Sequence, residues 1–364
     1  MYKALALQLT CQPVNKATTR QEAETIMLAS IDRIDKQIEA SINFAGRDTL
    51  LVVVPEYFLT GFPMGESLVE WRDKAALELD GRIYEALGAM AQKHKIYFSG
   101  NAFEQDPFFP DLYFQTSFIL SPGGDVILRY RRLNSVYSPT PHDVWAYYLE
   151  AYGYDSVFPV AKTNIGNLAC VASDEILYPE VARCLAMRGA EIFLHSTSEI
   201  GSPLLTQKNV GKMARAIENM GYVVSANSAG IADVAIPFGS TDAGSKVVDY
   251  KGLVLAEAGY GESMVANADI DLSALRQYRQ RTGAANLLSQ QRFELYAESY
   301  AQHRYYPPNT LLAESGVFLS KTSKTLSGDC TRRNEFQVST HFITSSSSAI
   351  IIAVAPQTRW PSMA

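Results

Sequence analysis

Short unbroken apolar runs alternate with longer stretches in which apolar residues recur every three or four positions, the signature of layered α/β architecture. Residues 5–9 read as a first strand, and 19–40 as a helix carrying Ile26, Met27, Ile31, Ile34 and Ile38 on one face. Residues 50–54 are continuously apolar, as expected of a strand buried on both sides. A helix over 83–94 follows, then strands at 96–100 and 113–120. Pro122-Gly123-Gly124-Asp125 turns the chain into a partner strand at 126–130. A second cycle repeats this order: strand 168–172, a helix from Pro179, strand 191–194, helix 208–220, strand 222–226 and a hairpin of 246–250 with 253–257. Two similar α/β halves are therefore expected over residues 1–313. Residues 314–364 read as a Ser/Thr-rich extension, either a loose tail or a flank for an extra strand at 349–355.

Composition narrows the class. With 47% hydrophobic and 19% charged residues the 364-residue chain is globular, and a net charge of −6 offers no broad basic surface, so nucleic acid is not expected as a partner. No run reaches the roughly 20 apolar residues of a membrane span, and residues 1–10 lack a signal-peptide layout, so the reading is cytoplasmic with no membrane partner. Four widely spaced cysteines and five scattered histidines form no metal-ligand pattern, so neither metal nor organic cofactor is expected.

Three polar residues stand where buried strands stop, the place where open α/β sheets form sites. Glu56 follows the 50–54 run; a carboxylate partly withdrawn from water there can serve as general base or simply cap the next helix. Arg132 closes the 126–130 strand. Ser173 lies between strand 168–172 and the helix at Pro179, as an exposed nucleophile near backbone N–H groups or as an N-cap ahead of Asp174 and Glu175. Cys170, three residues earlier, reads as a buried strand thiol.

The order and spacing of these motifs change their meaning. Pro55-Glu56-Tyr57 with Gly61, Tyr130-Arg131-Arg132, and Ser173-Asp174-Glu175 with Tyr178-Pro179-Glu180 together resemble the nitrilase (carbon-nitrogen hydrolase) family. Arg183 with Gly189-Ala190-Glu191-Ile192, Arg215 to Asn219, and Gly244-Ser245-Lys246 with Asp249 extend the resemblance across about residues 1–310. It implies a four-layer α-β-β-α sandwich and a small amide or nitrile-like ligand. It also implies a homodimer or larger homo-oligomer through helices near 181–188 and 208–220. Glu56 then matches the general base, while Arg132 stands at the family's lysine and Ser173 at its cysteine. Tyr57, Asp174 and Glu175 are expected to bind substrate. The family's second glutamate has no counterpart after Arg132; Asp143 is the nearest substitute.

These replacements alter the chemistry. A hydroxyl is far less acidic than a thiol, and a guanidinium stabilises an oxyanion without releasing a proton. Two readings stay open: a divergent amide hydrolase in which Ser173 forms an ester-type acyl intermediate, for which nitriles suit less well, or a catalytically silent homologue serving as a binding or scaffold subunit. Tyr137, Trp145, Tyr147 and Tyr148 stand as either an aromatic lid or ordinary surface packing.

Overall fold

The computed structural model describes residues 1–135, 137–200 and 205–312; the expected extension 314–364, with the apolar run 349–355, lies outside them. In chain order the elements are β1 (Tyr2–Ala6), β2 (Leu9–Cys11), α1 (Arg20–Ala45), β3 (Thr49–Val53), α2 (Leu68–Ala75), α3 (Arg82–His94), β4 (Tyr97–Gln105), β5 (Tyr113–Leu120) and β6 (Val126–Arg131). There follow α4 (Trp145–Tyr152), β7 (Ala161–Thr163), β8 (Gly166–Ala172), α5 (Pro179–Met187), β9 (Ile192–Ser196), α6 (Gln207–Asn219), β10 (Tyr222–Ala226), β11 (Ser228–Ile231), β12 (Lys246–Val248), β13 (Val254–Glu257), β14 (Asn267–Ile270), α7 (Leu272–Gln280) and α8 (Glu294–Gln302).

The strands form two six-stranded sheets, ordered β14-β1-β3-β4-β5-β6 and β13-β12-β10-β9-β8-β7. In each, three central strands run parallel and the flanks are antiparallel hairpins or returns. Period-2 alternation places the sheets against one another. Ala4, Ala6, Leu51 and Val53 point into the core shared with Leu168, Cys170, Ile192 and Val224, whereas Leu5, Val52 and Phe98 point the other way, onto α1 and α3. The outer face of the second sheet is covered by α5 and α6. The layers are therefore helix, sheet, sheet, helix.

Local chemistry accounts for the element ends. Thr19 caps α1 by accepting the Glu22 N–H, and the buried positions Ala23, Met27, Ile31, Ile34 and Ile38 lie along one face of that helix. The expected first strand at 5–9 is two strands instead. The chain bends at Gln8, whose buried amide donates to the Gly259 and Gly261 carbonyls at 2.6 and 2.7 Å, so β1 ends at Ala6 and Leu9 starts a separate ribbon paired with β11. No described helix is long and apolar enough to cross a membrane.

Candidate active site

Three parallel strands, β3, β8 and β9, end at a single cleft, and the residues just beyond them are held by contacts between the sheets. The Glu56 N–H donates to the Thr197 carbonyl at 3.3 Å, and Ser196 Oγ donates to the Val54 carbonyl at 2.7 Å. The loop leaving the first sheet is thus fixed to the second.

Glu56 is only 1% exposed. Its Oε1 accepts from Gln115 Nε2 at 2.6 Å and from Arg132 Nη1 at 3.1 Å, and its Oε2 accepts from the Ser198 N–H at 3.2 Å. Such a buried charge is tolerated because it is both paired and hydrogen-bonded. Arg132, one residue beyond β6, spends all three guanidinium nitrogens on protein: Nε on the Asn134 carbonyl (2.7 Å), Nη1 on Glu56 and Gln115 Oε1 (2.8 Å), and Nη2 on Asp174 (3.3 Å). Burial opposes its charge, yet Glu56 and the other anionic neighbours more than compensate and hold its pKa above the usual arginine value.

Ser173 opens a 3₁₀ turn, Ser173–Leu177, between β8 and α5, with a backbone φ of 48°. Left-handed backbone costs a non-glycine residue roughly 1–2 kcal/mol and persists only where the surroundings enforce it. His195 on β9 enforces it here. Burial foremost, then Lys212, lowers the His195 pKa well below its ordinary value, so the ring is neutral. Its Nε2 lies 2.8 Å from the Ser173 carbonyl, which can only accept, so Nε2 carries the proton and Nδ1 accepts from Ser225 Oγ at 2.8 Å.

The other expected residues divide. Tyr57 and Asp174 line the same cavity as Glu56, Arg132 and Ser173. Asp174 is half-exposed; burial pushes its pKa up, but Lys208 first and Arg132 second hold it below the usual carboxylate value. Glu175, expected to touch substrate, instead turns inward. It is fully buried, outside the cavity lining, and accepts from Tyr130 Oη (2.7 Å) and from the Leu133 and Asn134 N–H groups (2.7 and 2.9 Å). It ties the chain after β6 to the Ser173 turn. Asp143 is likewise outside that cavity's lining, and lines a neighbouring one that shares Arg132 and Asp174; it caps a short turn through Thr140 and receives Tyr306 and Thr310 hydroxyls. Of the four aromatic residues expected as a lid, Tyr137 alone lines the cavity, while Tyr148 is buried against Phe109, Phe114 and Arg131. Cys170 is buried within β8, where burial pushes its thiol up to about 12.

Two further residues, outside the motifs of the sequence, contribute to the site. Gln115, which opens the buried polar stretch Gln115-Thr116-Ser117 in β5, bridges Glu56 and Arg132. Lys208 in the first turn of α6 places Nζ 3.3 Å from Ser173 Oγ, 3.3 Å from Thr197 Oγ1 and 2.6 Å from Asp174 Oδ1. The polar run Gln115-Thr116-Ser117 between apolar residues is a signal for the first; nothing local distinguishes the second. The resulting cavity is about 560 Å³, within the range of small-molecule sites, with Phe62, Leu177, Leu205 and Ile231 supplying apolar wall around the charged floor. Among the described residues no cluster of three metal-ligating side chains occurs.

The sequence model of the carbon-nitrogen hydrolase family matches residues 12–280. A bifunctional nitrilase/nitrile hydratase NIT4B from Lupinus angustifolius is 26% identical over 286 residues, spanning 70% of this chain and 77% of its own length. Omega-amidase NIT3 of Saccharomyces cerevisiae is 25% identical over 255 residues, spanning 69% of this chain and 84% of that protein. The crystal structure of yeast Nit3 superposes with a TM-score of 0.59 at 23% identity, covering 77% of this chain and 93% of the other. An amidase from Nesterenkonia sp. AN1, solved with acrylamide added at its active site cysteine, gives 0.56 at 20% identity, over 82% of this chain and all of that one.

Proposed function

The chain belongs to the carbon-nitrogen hydrolase family, and from that premise we propose that it hydrolyses a small carboxamide, with Ser173 attacking the carbonyl where relatives use cysteine. The observation that carries this reading is the backbone of Ser173. A serine held at φ 48° on a strand-to-helix elbow, opening on a cavity shared with Glu56, is costly as a cap and suited to a nucleophile. Glu56 takes the hydroxyl proton as attack proceeds. The Asp174 N–H and the Arg132 guanidinium stabilise the oxyanion. The size and mixed lining of the cavity favour a short acyl group, aliphatic or aromatic, over a long chain.

A second reading draws on a different observation: the Glu56 carboxylate is already engaged by Gln115, Arg132 and the Ser198 N–H. On that reading the pocket binds an amide-like ligand and the chain acts as a silent subunit. Ammonia release from a panel of small aliphatic and aromatic amides separates the two. Turnover lost in Ser173→Ala supports the hydrolase, and saturable ligand binding with no ammonia supports the silent subunit.

A further inference from the structure

Lys208 occupies a position that helix energetics disfavour. It lies in the first turn of α6, capped by Thr206, where the helix dipole repels a cation, and no acidic residue of that turn offsets it. Its partners come from elsewhere: Asp174 at 2.6 Å, Thr197 Oγ1 at 3.3 Å and Ser173 Oγ at 3.3 Å. Arg132, by contrast, is fully committed to Glu56, Gln115, Asn134 and Asp174. A guanidinium does not surrender its protons in any case. Lys208 is therefore the exchangeable cation at the Ser173 hydroxyl.

We propose that Lys208 is a catalytic residue, the general acid that protonates the departing nitrogen and the base that activates the deacylating water. This rests on Ser173 acting as the nucleophile. As Oγ bonds to the amide carbon, the carbonyl π pair moves onto oxygen and the hydroxyl proton passes to Glu56. Collapse restores the carbonyl and breaks the C–N bond; nitrogen keeps the electron pair, takes a proton from the Lys208 ammonium and leaves as ammonia. Water then adds to the acyl ester and gives a proton to the Lys208 amine. Glu56 returns its proton to Oγ as the carboxylic acid departs. Asp174 holds the Lys208 Nζ beside Ser173 Oγ throughout, as ammonium and as amine.

The test compares leaving groups. Wild type, Lys208→Met and Lys208→Arg are assayed on a small amide, whose nitrogen must be protonated to leave, and on a p-nitrophenyl ester, whose phenolate leaves without a proton. Both variants are expected to lose amide turnover by about 10²-fold or more, the usual contribution of a positioned proton donor, and to keep ester acylation within the same order of magnitude. Equal losses on both substrates, no loss, or full activity in Lys208→Arg overturns the assignment. Because Met removes a charge that the helix end disfavours, α6 remains intact, checked by circular dichroism. Failure of the nucleophile reading looks different: wild type then releases no ammonia and leaves Ser173 unacylated by the ester, and both proposals fall together.

Discussion

Arg132 Nη1 stands 3.1 Å from Glu56 Oε1, with both side chains almost wholly closed to solvent. A buried pair of this kind contributes little net stability, because desolvation consumes the attraction, but removing one member strands the other. Arg132→Ala is therefore expected to destabilise the fold by about 3–5 kcal/mol, and Glu56→Gln by less, since the amide keeps an acceptor for Gln115. Arg132→Lys keeps the charge but loses the fork reaching Asn134 and Asp174 together, and falls between. Urea unfolding midpoints at constant slope check this order.

Ser173 carries strain that a glycine would not. Ser173→Gly is expected to be as stable as the parent or more so, by up to about 1 kcal/mol, the relief of the left-handed φ being partly offset by the freer unfolded chain. Ser173→Val, branched at Cβ, is expected to be clearly less stable. Thermal unfolding of the three proteins side by side gives the ranking. A glycine variant less stable than wild type would mean that the hydroxyl holds the elbow rather than being held by it.

The frame of this site was legible because Glu56, Arg132 and Ser173 stand at the ends of apolar strands in an order and spacing that resembles the family's motifs. Strand-end position alone reads Ser173 equally as an N-cap and Arg132 as a surface cation. Their mutual placement was less legible. Glu175 reads locally as a first-turn acid, and only the return of the chain after β6 presents it with the Leu133 and Asn134 N–H groups that draw it inward. Lys208 lies 35 residues beyond Ser173 in an ordinary amphipathic helix, and it meets the serine only when α6 packs on the Ser173 turn. Elements such as α2 and α4 escaped because their apolar faces are short and interrupted by charge or aromatic residues. The Gln8 bend broke an apolar alternation that, read alone, continues from Leu5 to Leu9.

Lys212, fully buried beside Glu199 at the edge of the cavity, supplies a pH signature. Burial outweighs the attraction of Glu199 and brings its pKa down to about 8. The unfolded chain, with an ordinary lysine, binds more protons than the folded one between that value and about 10.4. This group's contribution to stability is therefore unfavourable below pH 8 and improves as pH rises through that window. The paired variant Lys212→Met/Glu199→Gln is expected to lack the rise. Urea titrations of both proteins at intervals from pH 7 to 10 compare the slopes; parallel curves would show that Lys212 titrates normally.

A covalent acyl group on Ser173 is the species that distinguishes a working nucleophile from a silent pocket. Wild-type protein incubated with a small amide, quenched in acid and digested is expected to yield the Ser173 peptide heavier by the acyl group, with ammonia released in step, and Ser173→Ala is expected to yield neither. An unmodified Ser173 peptide and no ammonia, in a protein that gains both only as Ser173→Cys with Arg132→Lys, would contradict the assignment of Ser173 as a working nucleophile.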